Sequence, residues 1–265
     1  MTGNAFKKVI ATCFLCNVLG CGSELMFGGQ GGVDIWKAVE EEDLAAIEAY
    51  AAAGENLDVG KLRHGKTPLI YAIELQKKQS YETLLSVGAS PNTECRGGKT
   101  AIHQAAYQHD SFWLEKCLLH GGDANLMNNA KGLSKGTPMY YAIPSDHSHH
   151  IENVLLLLDH GADINARIDG DGRHGFTALA KACVMREYEI AYLLLERGAD
   201  YNEGGLETRT FLFTVKCSRL GDSTNDEYEE KWSKAVWDWL SERGIDPDKA
   251  VWGGDKWILE PHRSG

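Results

Sequence analysis

Apolar residues in this chain come in short bursts at three- and four-residue spacing, the pattern of amphipathic helices two or three turns long. The bursts recur in pairs. Thr67-Pro-Leu, Thr100-Ala-Ile-His, Thr137-Pro-Met and Thr177-Ala-Leu each open a pair. Each pair closes on Gly88-Ala-Ser-Pro-Asn92, Gly121-Gly-Asp-Ala-Asn125, Gly161-Ala-Asp-Ile-Asn165 or Gly198-Ala-Asp-Tyr-Asn202. From threonine to glycine is 21 residues in three pairs and 24 in the third, and the first two threonines lie 33 apart. A fixed period of that length predicts stacked units, each with an apolar face that only its neighbour covers.

The residues at the joints have physical reasons to be there. Threonine is a good helix N-cap, and Pro68 and Pro138 stand where a missing N–H costs nothing. Ala72, Ala105, Ala142 and Ala182 let two short helices approach closely. Gly88, Gly121, Gly161 and Gly198 are predicted to end the second helix with positive φ. The asparagine four residues later is expected to bond backbone in the turn toward the next unit.

The pattern T-P-L-H-x-A-A, then L-L, then G-A-D-x-N, resembles the ankyrin repeat. The resemblance implies an all-α solenoid of about six helix-turn-helix units, over residues 34–250 and strongest in 64–202. Ile35 to Asp58 reads as a degenerate first unit and Thr210 to Asp246 as a last one, lengthened by 13 residues around Gly221–Glu227. Thr224 with Glu227 has capping-box spacing for the final helix. Two departures stand out. Ankyrin repeats carry glycine between their helices, whereas Gln76, His109 and Arg186 occupy those places here, and the third repeat inserts Ser145-Asp-His-Ser-His-His150.

The amino-terminal region follows a different pattern. Lys7 and Lys8 precede a mostly apolar run of 12 residues, Val9 to Gly20. A bilayer span needs about 20, so the run reads as a secretory signal. Val18-Leu-Gly-Cys21 resembles the lipobox of bacterial lipoproteins, which implies cleavage before Cys21 and a diacylglycerol on its thiol. An ordinary cleaved signal is the other reading. Gly22 after the cysteine implies outer-membrane sorting and a periplasm-facing protein, and Gly28-Gly-Gln-Gly-Gly32 looks like a tether. The expected layout is a signal at 1–20, a tether at 21–33, the repeats at 34–250 and a tail at 251–265.

Composition adds limits. Of 265 residues 43% are hydrophobic and 25% charged, which excludes a disordered chain. The formal charge of −11 excludes broad attraction to nucleic acid, and leaves membrane contact to the lipid anchor. Loss of residues 1–20 leaves 25 basic against 38 acidic residues, and Cys95, Cys117, Cys183 and Cys217 as thiols. A periplasm permits disulfides among them in three pairings; free buried thiols are the simpler expectation.

Signs of catalysis are missing: no G-x-S-x-G, P-loop, H-E-x-x-H or paired C-x-x-C occurs outside the signal. No enzyme activity, cofactor or metal is expected. His147, His149 and His150 with Asp146 match a metal site or, more simply, a solvated turn. Asp169-Gly-Asp-Gly-Arg-His174 lacks the ligands of a calcium loop and reads as a hairpin tip. His103 sits at the repeat's T-x-x-H histidine, a structural place.

Charge along the finger loops is more informative. In ankyrin proteins the fingers and first helices form the concave binding face. Segments 61–66, 94–99, 131–136 and 167–175 hold nine basic residues and three acidic ones, a net +6, while the remaining mature chain is −19. The predicted partner-binding residues are Arg63, His64, Lys66, Arg96, Lys99, Lys131, Lys135, Arg173 and His174 on the fingers, with Tyr107 and Met185 behind them as anchors. Glu74, Leu75, Gln108 and Val184 occupy the family's other contact positions. Trp232, Ala235, Val236, Trp239 and Leu240 form a core stripe, and Trp237, Trp252 and Trp257 either fold over the last repeat or grip a partner.

Lipobox plus ankyrin array resembles, in architecture, the immunity lipoproteins that protect bacteria from type VI secreted phospholipase effectors. On that reading the basic fingers cover an acidic surface patch of the toxin; the chain is expected to be a monomer when free. A periplasmic ankyrin scaffold in envelope or peroxide stress defence is the second reading, and a metal-binding or catalytic lipoprotein the third.

Overall fold

The computed structural model describes residues 33–60, 65–95, 97–128, 135–143, 151–167, 177–201 and 227–246, with the backbone of 250–252 and 257–259. The signal, the tether with Cys21, the histidine turn, Cys217, Thr224 and most finger tips lie outside those residues.

Helices pair as the repeats predict: α1 (Ile35–Glu41) with α2 (Leu44–Ala52), α3 (Pro68–Glu74) with α4 (Lys78–Ser86), and α5 (Ala101–Ala106) with α6 (Phe112–Leu119). Then come α7 (Pro138–Tyr141) with α8 (Ile151–Asp159), α9 (Ala178–Val184) with α10 (Tyr188–Glu196), and the longer α11 (Glu227–Glu242). First helices pack on first helices and second on second, giving two layers; α11 packs on α10. Beyond the helices the tail forms one short antiparallel pair, β1 (Ala250–Trp252) with β2 (Trp257–Leu259), Val251 opposite Ile258.

Local chemistry explains where several of the helices begin. Asp34, Asp43, Thr67 and Thr177 accept from a backbone N–H two or three residues on, Asp34 and Asp43 at 3.0 Å. Pro68 and Pro138 open their helices. Thr137 and Thr100 stand at the N-cap without that bond, and the Thr100 hydroxyl instead meets His103 Nδ1 at 2.8 Å.

The ends are Schellman turns. At α4 the Ala89 N–H donates to Leu84 O at 2.9 Å across Gly88, whose φ is +99°. The same closure recurs at Gly54, Gly121, Gly161, Gly198 and Gly244, all with positive φ. Between paired helices it recurs without glycine. Glu42, Gln76 and Arg186 hold φ of 55°, 57° and 63°, and Lys77 N–H donates to Ala72 O at 2.9 Å. His109 is the exception, with no positive φ.

A side-chain ladder joins the units. Asn92 Nδ2 donates to Gly121 O at 2.8 Å while its Oδ1 accepts from Asp123 N at 2.9 Å. Asn125 repeats both bonds with Gly161 and Asp163, and Asn165 accepts from Asp200. In the first unit Asp58 accepts from Ser90 N.

The core lies between the layers: Ile47, Leu69, Ile73, Leu84, Ile102, Leu114, Leu157 and Leu194 are wholly buried, each burial stabilising by about 1.5–3 kcal/mol. Trp113 and Tyr81 meet edge to face at 5.0 Å. Cys117 and Cys183 are buried free thiols and Cys95 is half-buried. Tyr81 O–H lies 2.8 Å from Cys117 Sγ, and burial pushes that thiol up to about 12. Val236, Trp239 and Leu240 form the buried face of α11, flanked by half-buried Trp232 and Ala235; Trp237 also packs on the core.

Candidate partner-binding face

Each first helix turns three positions away from the core, four, seven and eight residues after its threonine. They hold Tyr71, Glu74 and Leu75 in the second unit, then Gln104, Tyr107 and Gln108 in the third. The fourth unit contributes Tyr141, and the fifth Lys181, Val184 and Met185. Tyr107 is 52% exposed, Val184 42% and Leu75 37%, while Met185 is half-buried. Large apolar groups this open, on the first helices of the second, third and fifth units, are what an interface core offers.

The described finger residues border this face. Lys66 Nζ is 2.6 Å from Glu74 Oε2, so this finger cation is matched on its own unit. Lys99 Nζ lies over the Tyr141 ring, 5.7 Å from its centroid. Lys135 is exposed. Arg63, His64, Arg96, Lys131, Arg173 and His174 lie outside the described residues.

His103 anchors the fingers rather than a ligand. Fully buried, it donates from Nε2 toward Leu126 O and Gly136 O, each at 3.0 Å, while Nδ1 accepts from Thr100. Burial holds its pKa down to about 4, so the ring is neutral near pH 7. Asn128 completes the clamp, accepting from Gly136 N at 2.8 Å and donating to the Tyr141 hydroxyl at 2.6 Å.

Lys181 escapes the sequence reading. Its Nζ donates to Tyr140 O at 2.6 Å and sits 3.6 Å from the centroid of the Tyr140 ring. Burial lowers its pKa to about 8. The available signal was its place, four after Thr177, where the neighbouring units carry Tyr71, Gln104 and Tyr141. Tyr71 was likewise overlooked; it meets Trp36 edge to face at 5.6 Å, and its hydroxyl points to Glu40 Oε2 at 3.5 Å. Among the described residues no group of three metal-ligating side chains comes together.

Residues 102–204 match the family model described as ankyrin repeats (3 copies). The solved ankyrin repeat domain of Bcl-3 superposes with a TM-score of 0.57 at 26% identity, over 80% of this chain and 100% of that one. The fold is an ankyrin-repeat solenoid. The human ASB11 ankyrin repeat domain, 19% identical, shares the fold with a TM-score of 0.56, over 80% of this chain and 84% of that one. Among curated relatives, an ankyrin repeat protein of fowlpox virus (strain NVSL) is 32% identical over 135 residues, or 51% of this chain. The B-cell lymphoma 3 protein homolog of Mus musculus is 31% identical over 180 residues, or 65% of this chain. The chain spans 38% of the length of each of these two relatives. Ankyrin repeats mark a protein-interaction module; on the first helices this solenoid exposes Leu75, Tyr107 and Val184, while Leu119, Met127 and Tyr228 are exposed elsewhere on it.

Proposed function

We propose that this chain is a periplasm-facing, lipid-anchored binding protein, held at the outer membrane through Cys21, that neutralises a secreted antibacterial phospholipase by covering it. The observation that carries the binding reading is the exposure of Tyr107, Val184 and Leu75 on the first helices of three units. The lipobox-like Val18-Leu-Gly-Cys21 supports the location, and its combination with an ankyrin array supports the immunity role. The partner presents an acidic patch to the basic fingers, and inhibition comes from occlusion of the lipid-access route or the active site. No chemistry by this chain is required.

The test uses the full chain as bait in envelope and secreted fractions of its own bacterium. One stoichiometric phospholipase, inhibited on binding, supports the proposal. A catalase or several envelope proteins without a toxin overturns it in favour of a scaffold in envelope or peroxide defence. Labelled palmitate incorporated by the wild type and lost in Cys21→Ser tests the anchor separately.

A further inference from the structure

The finger-side face divides electrically along the solenoid. Among the described residues of its first two units, Lys37 pairs with Glu41 at 3.7 Å and Lys66 with Glu74 at 2.6 Å. From the third unit on, Lys99, Lys135 and Lys181 form no ion pair with any carboxylate among the described residues. Lys181 is the most telling of the three. Its ammonium is largely withdrawn from water and, among the described residues, is met by a carbonyl and a ring face, which offset part of the loss of hydration. An ammonium has three donors, and the Tyr140 carbonyl uses one. The equivalent places in the second, third and fourth units hold the neutral Tyr71, Gln104 and Tyr141, so the fold does not require a charge there; in the first unit the place is taken by Lys37, which has Glu41 as its partner.

We propose that Lys181 anchors a carboxylate-bearing segment of a protein partner, with Lys99 and Lys135 engaging further carboxylates of the same segment and Tyr107, Tyr140 and Tyr141 lying against its apolar parts. The three cations belong to three successive units. The matching ligand is therefore a chain with several acidic side chains, not a single small anion. This inference rests on the reading of the face as a protein-binding surface. It is independent of whether the partner is a phospholipase.

The probe is a fluorescent hexaglutamate peptide titrated onto the full chain, with hexaglutamine as the neutral control. We expect salt-sensitive binding of hexaglutamate alone. Lys181→Met should weaken it at least tenfold while the melting temperature holds or rises, because a costly buried charge has gone. Lys37→Met, removing a matched cation, should leave the affinity within twofold. A second readout needs no variant to be stable. In lysine 13Cε NMR of the wild type, the Lys181 midpoint, near 8 when free, should move up toward the ordinary lysine value with saturating peptide. The resonance is identified by its absence in Lys181→Gln.

Absence of hexaglutamate binding, equal weakening by Lys181→Met and Lys37→Met, or an unmoved midpoint overturns the proposal. Failure of the bait to capture a phospholipase leaves these outcomes untouched, so the two readings fail separately.

Discussion

Asn153 closes a helix that belongs to the repeat before its own, donating from Nδ2 to Gln108 O at 2.7 Å. The same amide reaches Ala106 O at 3.1 Å, and the residue is 1% exposed. In the second and fifth units the turn after the first helix passes through a left-handed residue, Gln76 or Arg186, and the chain satisfies its own carbonyls. His109 does not adopt that conformation. The carbonyls it leaves open are taken by a side chain from the next unit.

Replacing Asn153 with alanine therefore takes the donor from the buried Ala106 carbonyl and the half-buried Gln108 carbonyl. The expected loss is about 2–3 kcal/mol. Urea unfolding checks it: the midpoint falls while the m-value holds. An unchanged midpoint would show that the α5 terminus has another partner.

The left-handed turns without glycine give a second expectation. A non-glycine residue in that region costs about 1–2 kcal/mol. Glu42 offsets this only with a 3.9 Å contact to Lys77, so Glu42→Gly should stabilise by about 1 kcal/mol. Gln76 makes two bonds, to Ile73 O at 3.0 Å and Gln108 Oε1 at 2.9 Å, so Gln76→Gly should gain less. Paired thermal melts of the two variants separate strain from side-chain bonding.

His103 makes stability depend on pH. Its folded pKa of about 4 lies below the ordinary 6.5, so the unfolded chain binds the extra proton between those values. The contribution is complete above about pH 6.5 and is lost as pH falls toward 4. From pH 7 to pH 5 the loss is about 2 kcal/mol. His103→Asn should unfold more readily at pH 7 and show a flatter profile across that window, as read by urea titrations at several pH values.

Much of the fold was legible because period, caps and glycines are local signals. Thr67 and Thr177 cap as expected, Pro68 and Pro138 open helices, Gly88 takes positive φ, and Asn92 and Asn125 bond the next unit's backbone. Thr100 shows the limit: with a histidine three residues on, its hydroxyl has a better partner than the helix end. Asn153 was not legible, because its partners lie 45 and 47 residues earlier and no pattern connects them. At the site, Tyr107, Val184 and Leu75 were found by repeat position and are open. Counting finger charge did not find Lys181, which stands on a helix, nor the pairing of Lys66 with Glu74, eight residues apart. The short β1–β2 pair lies past the repeats, where periodicity carries no information.

On the proposed reading the first-helix face, not the back of the second helices, holds the partner. The decisive measurement is calorimetric titration of the captured protein onto wild type and onto the double variant Tyr107→Ala, Val184→Ala. Both side chains are open, so the double variant should melt within about 1 kcal/mol of wild type. We predict that it binds at least a hundredfold more weakly, a loss of about 2.7 kcal/mol or more. Equal affinity in the two proteins would contradict the account and place the partner elsewhere on the solenoid.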